Sequence, residues 1–170
     1  MNALLRKLAG GDRRSVGRVD EVVAAVRNDA TLFAVLFEGM VADDEVVRMR
    51  SADAAEKLTV EHPEWLTPFT SRLLGEVAAV EQQEVRWHVA HMIPRLTLSP
   101  RERATAVRIL LSYLGDRSNI VKVFSMQALA DLAGGDATLR DRVVGIIGDM
   151  MKTGSPAVKS RGRKLLKRLG

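Results

Sequence analysis

The chain has 170 residues, 46% of them hydrophobic but only 4% aromatic, with a net charge of +5 and no cysteine. The length suits a single domain with a real core, and the missing cysteine excludes disulfides and thiolate zinc sites. No apolar run approaches a membrane span and the opening MNALLRKLAGG is too short for a leader peptide, so a cytoplasmic protein is expected.

Charge is uneven along the chain. Residues 1–18 hold five basic side chains against Asp12, and residues 152–170 hold seven (Lys152, Lys159, Arg161, Arg163, Lys164, Lys167, Arg168) with no acid. Between them, residues 19–151 carry a net charge of −6, so any contact with a polyanion belongs to the ends.

In chain order, the first expected elements are N-terminal capping helices within residues 1–29, joined through Gly10–Gly11–Asp12. That joint lacks the Lys-Ser/Thr ending of a phosphate loop. Four apolar helices follow at TLFAVLFEGMV from 31, EWLTPFTSRLLGEVAAV from 64, SPRERATAVRILLSYL from 99 and DATLRDRVVGIIGDMM from 136. Each leads through a polar joint (ADDE, EQQE, GDRSN, KTGSP) into a second helix: VRMRSADAAEKL at 47, VRWHVAHMIPRL at 85, VKVFSMQALADL at 121 and VKSRGRKLLKRL at 158. Ser99 with Glu102, and Asp136, are expected N-caps, and Gly134–Gly135 closes the helix before it.

The second helices recur at intervals of 38, 36 and 37 residues. Counting the valine as position zero, positions 7 and 8 are apolar in every copy and position 11 is leucine. At about 100° per residue these positions share one arc of an α-helix. Paired antiparallel helices at a fixed interval predict an all-α fold of stacked units, each burying its apolar face on its neighbours.

The Val-Arg/Lys start of the second helices, with an acid five or six residues before it in three copies, resembles the HEAT/armadillo-type helical repeat family. The resemblance covers residues 31–169 and implies a right-handed α-α superhelix of about four antiparallel helix pairs. The repeats fall at 31–58, 64–96, 99–132 and 136–169, within one domain spanning 1–170. The fourth copy, with Gly162 and Arg163 in mid-helix, departs most and suits a terminal cap. Arg48, Arg86, Lys122 and Lys159 form a ladder expected to pair with the acids of the joints, among them Asp43 with Arg48.

No serine or threonine lies beside an obvious base, so no catalytic residue and no cofactor is expected; only the resemblance leaves room for a lyase- or glycosylase-like activity. Glu84, His88 and His91 could share a helix face, but with no further ligand in view no metal site is expected. Positions 2, 5, 6 and 9 of the second helices are expected on a concave face: Met49, Ala52, Asp53 and Glu56; Trp87, Ala90, His91 and Pro94; Val123, Met126, Gln127 and Ala130. Its apolar character suits a protein or peptide partner, with Trp87 as the anchor and Met49, Asp53, His91, Val123, Met126 and Gln127 around it. The alternative is a nucleic-acid-binding protein, as the resemblance to DNA alkylation repair members allows, using Lys159, Arg161, Arg163, Lys164, Lys167 and Arg168 of the tail.

Overall fold

Side chains that accept hydrogen bonds from free backbone N–H groups set most of the helix starts. In a computed structural model, residues 2–12 and 14–170 are described; Met1 and Arg13, both in the expected N-terminal capping stretch, lie outside the described residues. Among those described the structure is all-helical, with no strand. Asn2 caps α1 (Ala3–Arg6), Asp44 caps α4 (Glu45–Glu61) and Asp136 caps α9 (Ala137–Thr153), each through a bond of 2.8–3.1 Å. At α7 (Pro100–Tyr113) Ser99 and Glu102 form the expected reciprocal pair, in which the Ser99 N–H donates to Glu102 at 2.8 Å. Serines also open α8 (Asn119–Leu132) and α10 (Pro156–Leu169). The remaining helices are α2 (Val19–Asn28), α3 (Phe33–Gly39) and α6 (Gln83–Met92).

One expected helix is irregular. From residue 64 the chain forms a 3-10 stretch at Pro63–Phe69, a single α-turn (α5, Thr70–Arg72) and a π-helical stretch at Leu73–Val77. Pro68 has no N–H to give to an α-helical bond, which accounts for the tighter winding ahead of it. Pro94 acts similarly on α6, which passes into a 3-10 turn at Ile93–Arg95. No helix among the described residues is long and apolar enough to cross a membrane.

The chain divides into two compact units, Met1–Thr97 and Leu98–Gly170, at the joint between the second and third expected helix pairs. In the first, α4 packs against α2, α3 and α6 around Leu36, Phe37, Leu58 and Met92, all fully buried. In the second, α8 packs against α7 and α10, and α10 against α9, around Leu110, Met126, Leu129 and Ile147. Each such side chain stabilises the fold by roughly 2 kcal/mol relative to leaving it exposed.

The repeat register is visible in burial. Val47, Val85, Val121 and Val158 are at most 1% exposed. Seven residues on, Ala54, Met92, Ala128 and Leu165 are at most 2% exposed. Eleven residues before each valine, Leu36, Leu74, Leu110 and Ile147 are also buried. Position 4 must stay small where first and second helices approach closely. A Cβ on Gly162 would lie 2.5 Å from the Met151 sulfur, and one on Gly39 would lie 2.1 Å from Ser51 Oγ. Gly162 is therefore a packing requirement of the fourth copy.

Candidate partner-binding pocket

The expected concave face is smaller than the spacing implied. Ala52, Ala90, Met126 and Ala130 are buried, Met126 completely, so Met126 is a core residue and cannot meet a partner. The cause is geometric: each second helix packs both on its own first helix and on the second helix of the neighbouring pair, α4 on α6 and α8 on α10. It therefore buries two arcs rather than one. In Leu98–Gly170, Val123 is half-buried and Gln127 is engaged, donating to Asp131 at 3.0 Å and accepting from Arg161 at 2.7 Å.

In Met1–Thr97, Met49, Asp53 and Trp87 come together. With Arg14, Ser15, Val16, Arg50, Glu84 and His88 they line a depression of about 260 Å³. Met49 and Asp53 stand one turn apart on α4, and Glu84, Trp87 and His88 stand on one face of α6. The third wall is the segment between α1 and α2, and the residue holding it there is Arg50.

Arg50 is only 3% exposed and, among the described residues, no carboxylate pairs with it. Instead its guanidinium donates to four backbone carbonyls: Leu8 at 2.8 Å, Gly10 at 2.7 Å, Asp12 at 3.1 Å and Ser15 at 3.1 Å. The planar fork of donors can serve several carbonyls that a lysine ammonium could not reach together. Glycine makes the wrap possible. Gly10, Gly11 and Gly17 all have positive φ, and a Cβ on Gly17 would lie 2.7 Å from the guanidinium carbon. Sequence reasoning treated Gly10–Gly11 as a simple joint and passed over Arg50. The available signal was a glycine-rich segment together with an arginine at the edge of the buried arc of its helix.

His88 lies at the back of the pocket with its ring 5.5 Å from that of Trp87, and its buried Nδ1 has no hydrogen-bond partner among the described residues. Burial pushes the imidazole down to about 4, so the ring is neutral near pH 7. His91 is not among the residues lining the depression and lies 3.4 Å from Glu56. Burial alone would raise the Glu56 carboxyl. Hydrogen bonds from His91 and Arg95, with the charge of Arg95, more than offset it and hold Glu56 at about 2. No group of three or more His, Asp or Glu among the described residues sits close enough to hold a metal.

Two arginines of the tail are committed within their own unit. Arg161 donates to Gln127 and lies over Phe124 at 5.9 Å, and Arg168 bonds Asp131 at 2.7 Å. They are packing and stacking residues, not open cations. Arg163, Lys164 and Lys167 are exposed on one face of α10, and Lys159 is half-buried. Two residues of the ladder donate to backbone carbonyls. Arg48 donates to the backbone carbonyls of Ala42 at 2.7 Å and Asp43 at 2.9 Å, and Arg86 to that of Val80 at 3.2 Å. These carbonyls follow the ends of the first helices, where the backbone lacks intrahelical donors.

The chain matches no family model, no curated protein and no solved structure. The pocket residues therefore carry the functional reading themselves.

Proposed function

We propose that the protein is a non-enzymatic, HEAT-like stack of helix pairs that binds a protein or peptide partner through the Trp87 pocket. The stacked arrangement is supported by polar links that recur about one repeat apart: Arg48 to Gln82 and Arg161 to Gln127 at a separation of 34, Arg168 to Asp131 at 37, and Arg95 to Glu56 at 39. The observation that carries the binding role is the meeting of Met49, Asp53 and Trp87, from two neighbouring second helices, in one open depression. A large aromatic side chain beside methionine, edged by a few polar groups, supplies the contact area that anchors protein interfaces. Panning a random twelve-residue peptide library against the protein tests it. Peptides enriched by the wild type and lost with Trp87→Ala, whose helical circular dichroism stays unchanged, support the role; enrichment indifferent to Trp87 removes it.

A second reading, contact with a nucleic-acid backbone, is favoured by the charge of Leu98–Gly170. That unit holds fourteen basic and six acidic side chains, a net charge of +8. Five of the six acids already accept hydrogen bonds inside the unit: Glu102, Asp116, Asp131, Asp136 and Asp149. The excess cations thus have little internal counter-charge, and a phosphate backbone would release its condensed counterions to them. A salt titration of duplex and single-stranded DNA binding decides it, and no binding even at low salt would sink it.

A further inference from the structure

A second opening lies within Leu98–Gly170, between its two first helices. There α7 packs on α8, and α9 packs on α8 and α10, while α7 and α9 scarcely touch each other. The space between them is a groove of about 410 Å³. Pro100, Arg103, Ala104, Val107 and Arg108 face it from α7, at the spacing of a single helix stripe, and Leu139 and Arg142 face it from α9. Pro100 and Ala104 are exposed and Leu139 is half-buried, so the floor is apolar and open. The charges around it differ in what they already hold. Arg103 donates to the Leu132 carbonyl, and to Asp136 at 3.4 Å, which ties α7 to the start of α9. Asp136, the acid of the groove wall, also accepts from the Leu139 N–H at 2.9 Å. Arg108 and Arg142 are exposed on opposite walls. Arg108 gives one nitrogen to the neutral Thr105 hydroxyl at 3.1 Å, and among the described residues neither arginine forms an ion pair.

We propose that the groove between α7 and α9 holds an acidic peptide segment of a partner protein, with an apolar side chain on Ala104 and Leu139 and flanking carboxylates on Arg108 and Arg142. A guanidinium presents its donors in a plane that matches a carboxylate, and clustered arginines recur where acidic motifs are recognised. The unit's net charge of +8 draws such a segment in from a distance. Exposed ion pairs contribute little each, because water and salt screen them. The apolar contact therefore supplies a large part of the affinity and makes the groove more than a patch of charge. The same feature separates a peptide from a nucleic acid. A duplex backbone would satisfy the two arginines but offers nothing to the apolar floor. For a single strand, the described lining has no aromatic ring on which an unstacked base could lie. The proposal does not rest on the Trp87 pocket, since the groove and that pocket belong to different units and either role can fail alone.

The experiment titrates the full chain with an acetylated, amidated hexapeptide, Asp-Glu-Leu-Leu-Glu-Asp, and follows the backbone amides by nuclear magnetic resonance. A second peptide carries serine in place of both leucines. The expected result is a saturable shift of amides in α7 and α9. Binding should weaken tenfold or more for the serine peptide, and again tenfold or more in Arg108→Gln/Arg142→Gln, whose exposed substitutions leave the helical circular dichroism unchanged. Lys164→Gln/Lys167→Gln, which removes the same charge from the tail, should bind the leucine peptide within twofold of the wild type. Equal binding of the two peptides would reduce the contact to charge alone and overturn the proposal. So would wild-type binding by Arg108→Gln/Arg142→Gln, or shifts centred on α10. A twelve-residue oligothymidylate that moves the α7 and α9 amides and displaces the leucine peptide at equal concentration would assign the groove to a nucleic-acid backbone and overturn it as well.

Discussion

Met1–Thr97 and Leu98–Gly170 are built from the same helix-pair pattern, yet they secure it by different means. Ten residues after the valine of its second copy, each unit has an arginine that reaches back to an acid of its first copy: Arg95 to Glu56, and Arg168 to Asp131. Around that shared clamp the second unit is regular. Its four helices all start on a serine or aspartate cap, and α8 is closed by Gly134–Gly135, with Gly135 at positive φ. The first unit is irregular and rich in special contacts. It holds the 3-10 and π-helical segment, an aromatic group in which Phe33 meets Trp65 and Phe69, all three histidines of the chain, and the guanidinium of Arg50 inside a loop of carbonyls. The lesson is that a repeat tolerates large local departures as long as its stacking positions stay filled, and that departures leave openings. The pocket lies among the departures.

The sharpest way to break this comparison is to remove Arg50. Arg50→Ala leaves four carbonyls without their donor and frees the segment between α1 and α2, the wall that carries Arg14, Ser15 and Val16. The expected cost is roughly 3 to 5 kcal/mol, since hydrogen bonds from a charged donor are among the stronger ones and the groups left behind are partly buried. Urea unfolding measures the loss, and hydrogen exchange locates it. Faster exchange confined to Met1–Thr97 is expected, with the Leu98–Gly170 amides unchanged. Equal acceleration in both units would mean that the two-unit division does not describe how stability is distributed. Arg50→Lys should rescue only part of it, because an ammonium cannot reach four carbonyls in one plane.

The same contrast explains what was legible in the sequence. The all-helical fold and the stacking register follow from period and spacing alone, because Val47, Leu58, Met92, Leu129 and Leu165 are buried by the same rule that makes them recur. The caps at Ser99 and Asp136 are local, so they were legible too. The outward face was legible only in part. Met49, Asp53 and Trp87 meet in the pocket, but Met126 is buried because a one-helix projection cannot count a neighbouring second helix. Nor could spacing show that Arg50 binds carbonyls 35 to 42 residues away. Periodicity describes what repeats, and these contacts occur once.

Acid should separate the units as well, more gently than the loss of Arg50. His88 is neutral in the fold, with its pKa lowered by burial from the ordinary 6.5 to about 4. The unfolded chain therefore binds a proton in that window that the folded chain refuses, and stability falls as pH drops from about 6.5 to 4. Glu56 acts in the same direction at lower pH. Its carboxyl is held at about 2 rather than 4.5, so its contribution is present above 4.5 and is lost as pH falls toward 2. For His88 the full loss amounts to about 3 to 4 kcal/mol, the displacement converted at roughly 1.4 kcal/mol per pH unit. His88→Leu removes the titrating ring together with its unpartnered nitrogen. Its unfolding free energy should stay flat between pH 6.5 and 4.5 and fall only below, where Glu56 takes over. Leu98–Gly170 contains no histidine, so exchange of its amides should show no acid sensitivity in the upper window. A slope in His88→Leu as steep as in the wild type would place the acid-sensitive group elsewhere, and a matching slope in Leu98–Gly170 would show the two units losing stability as one.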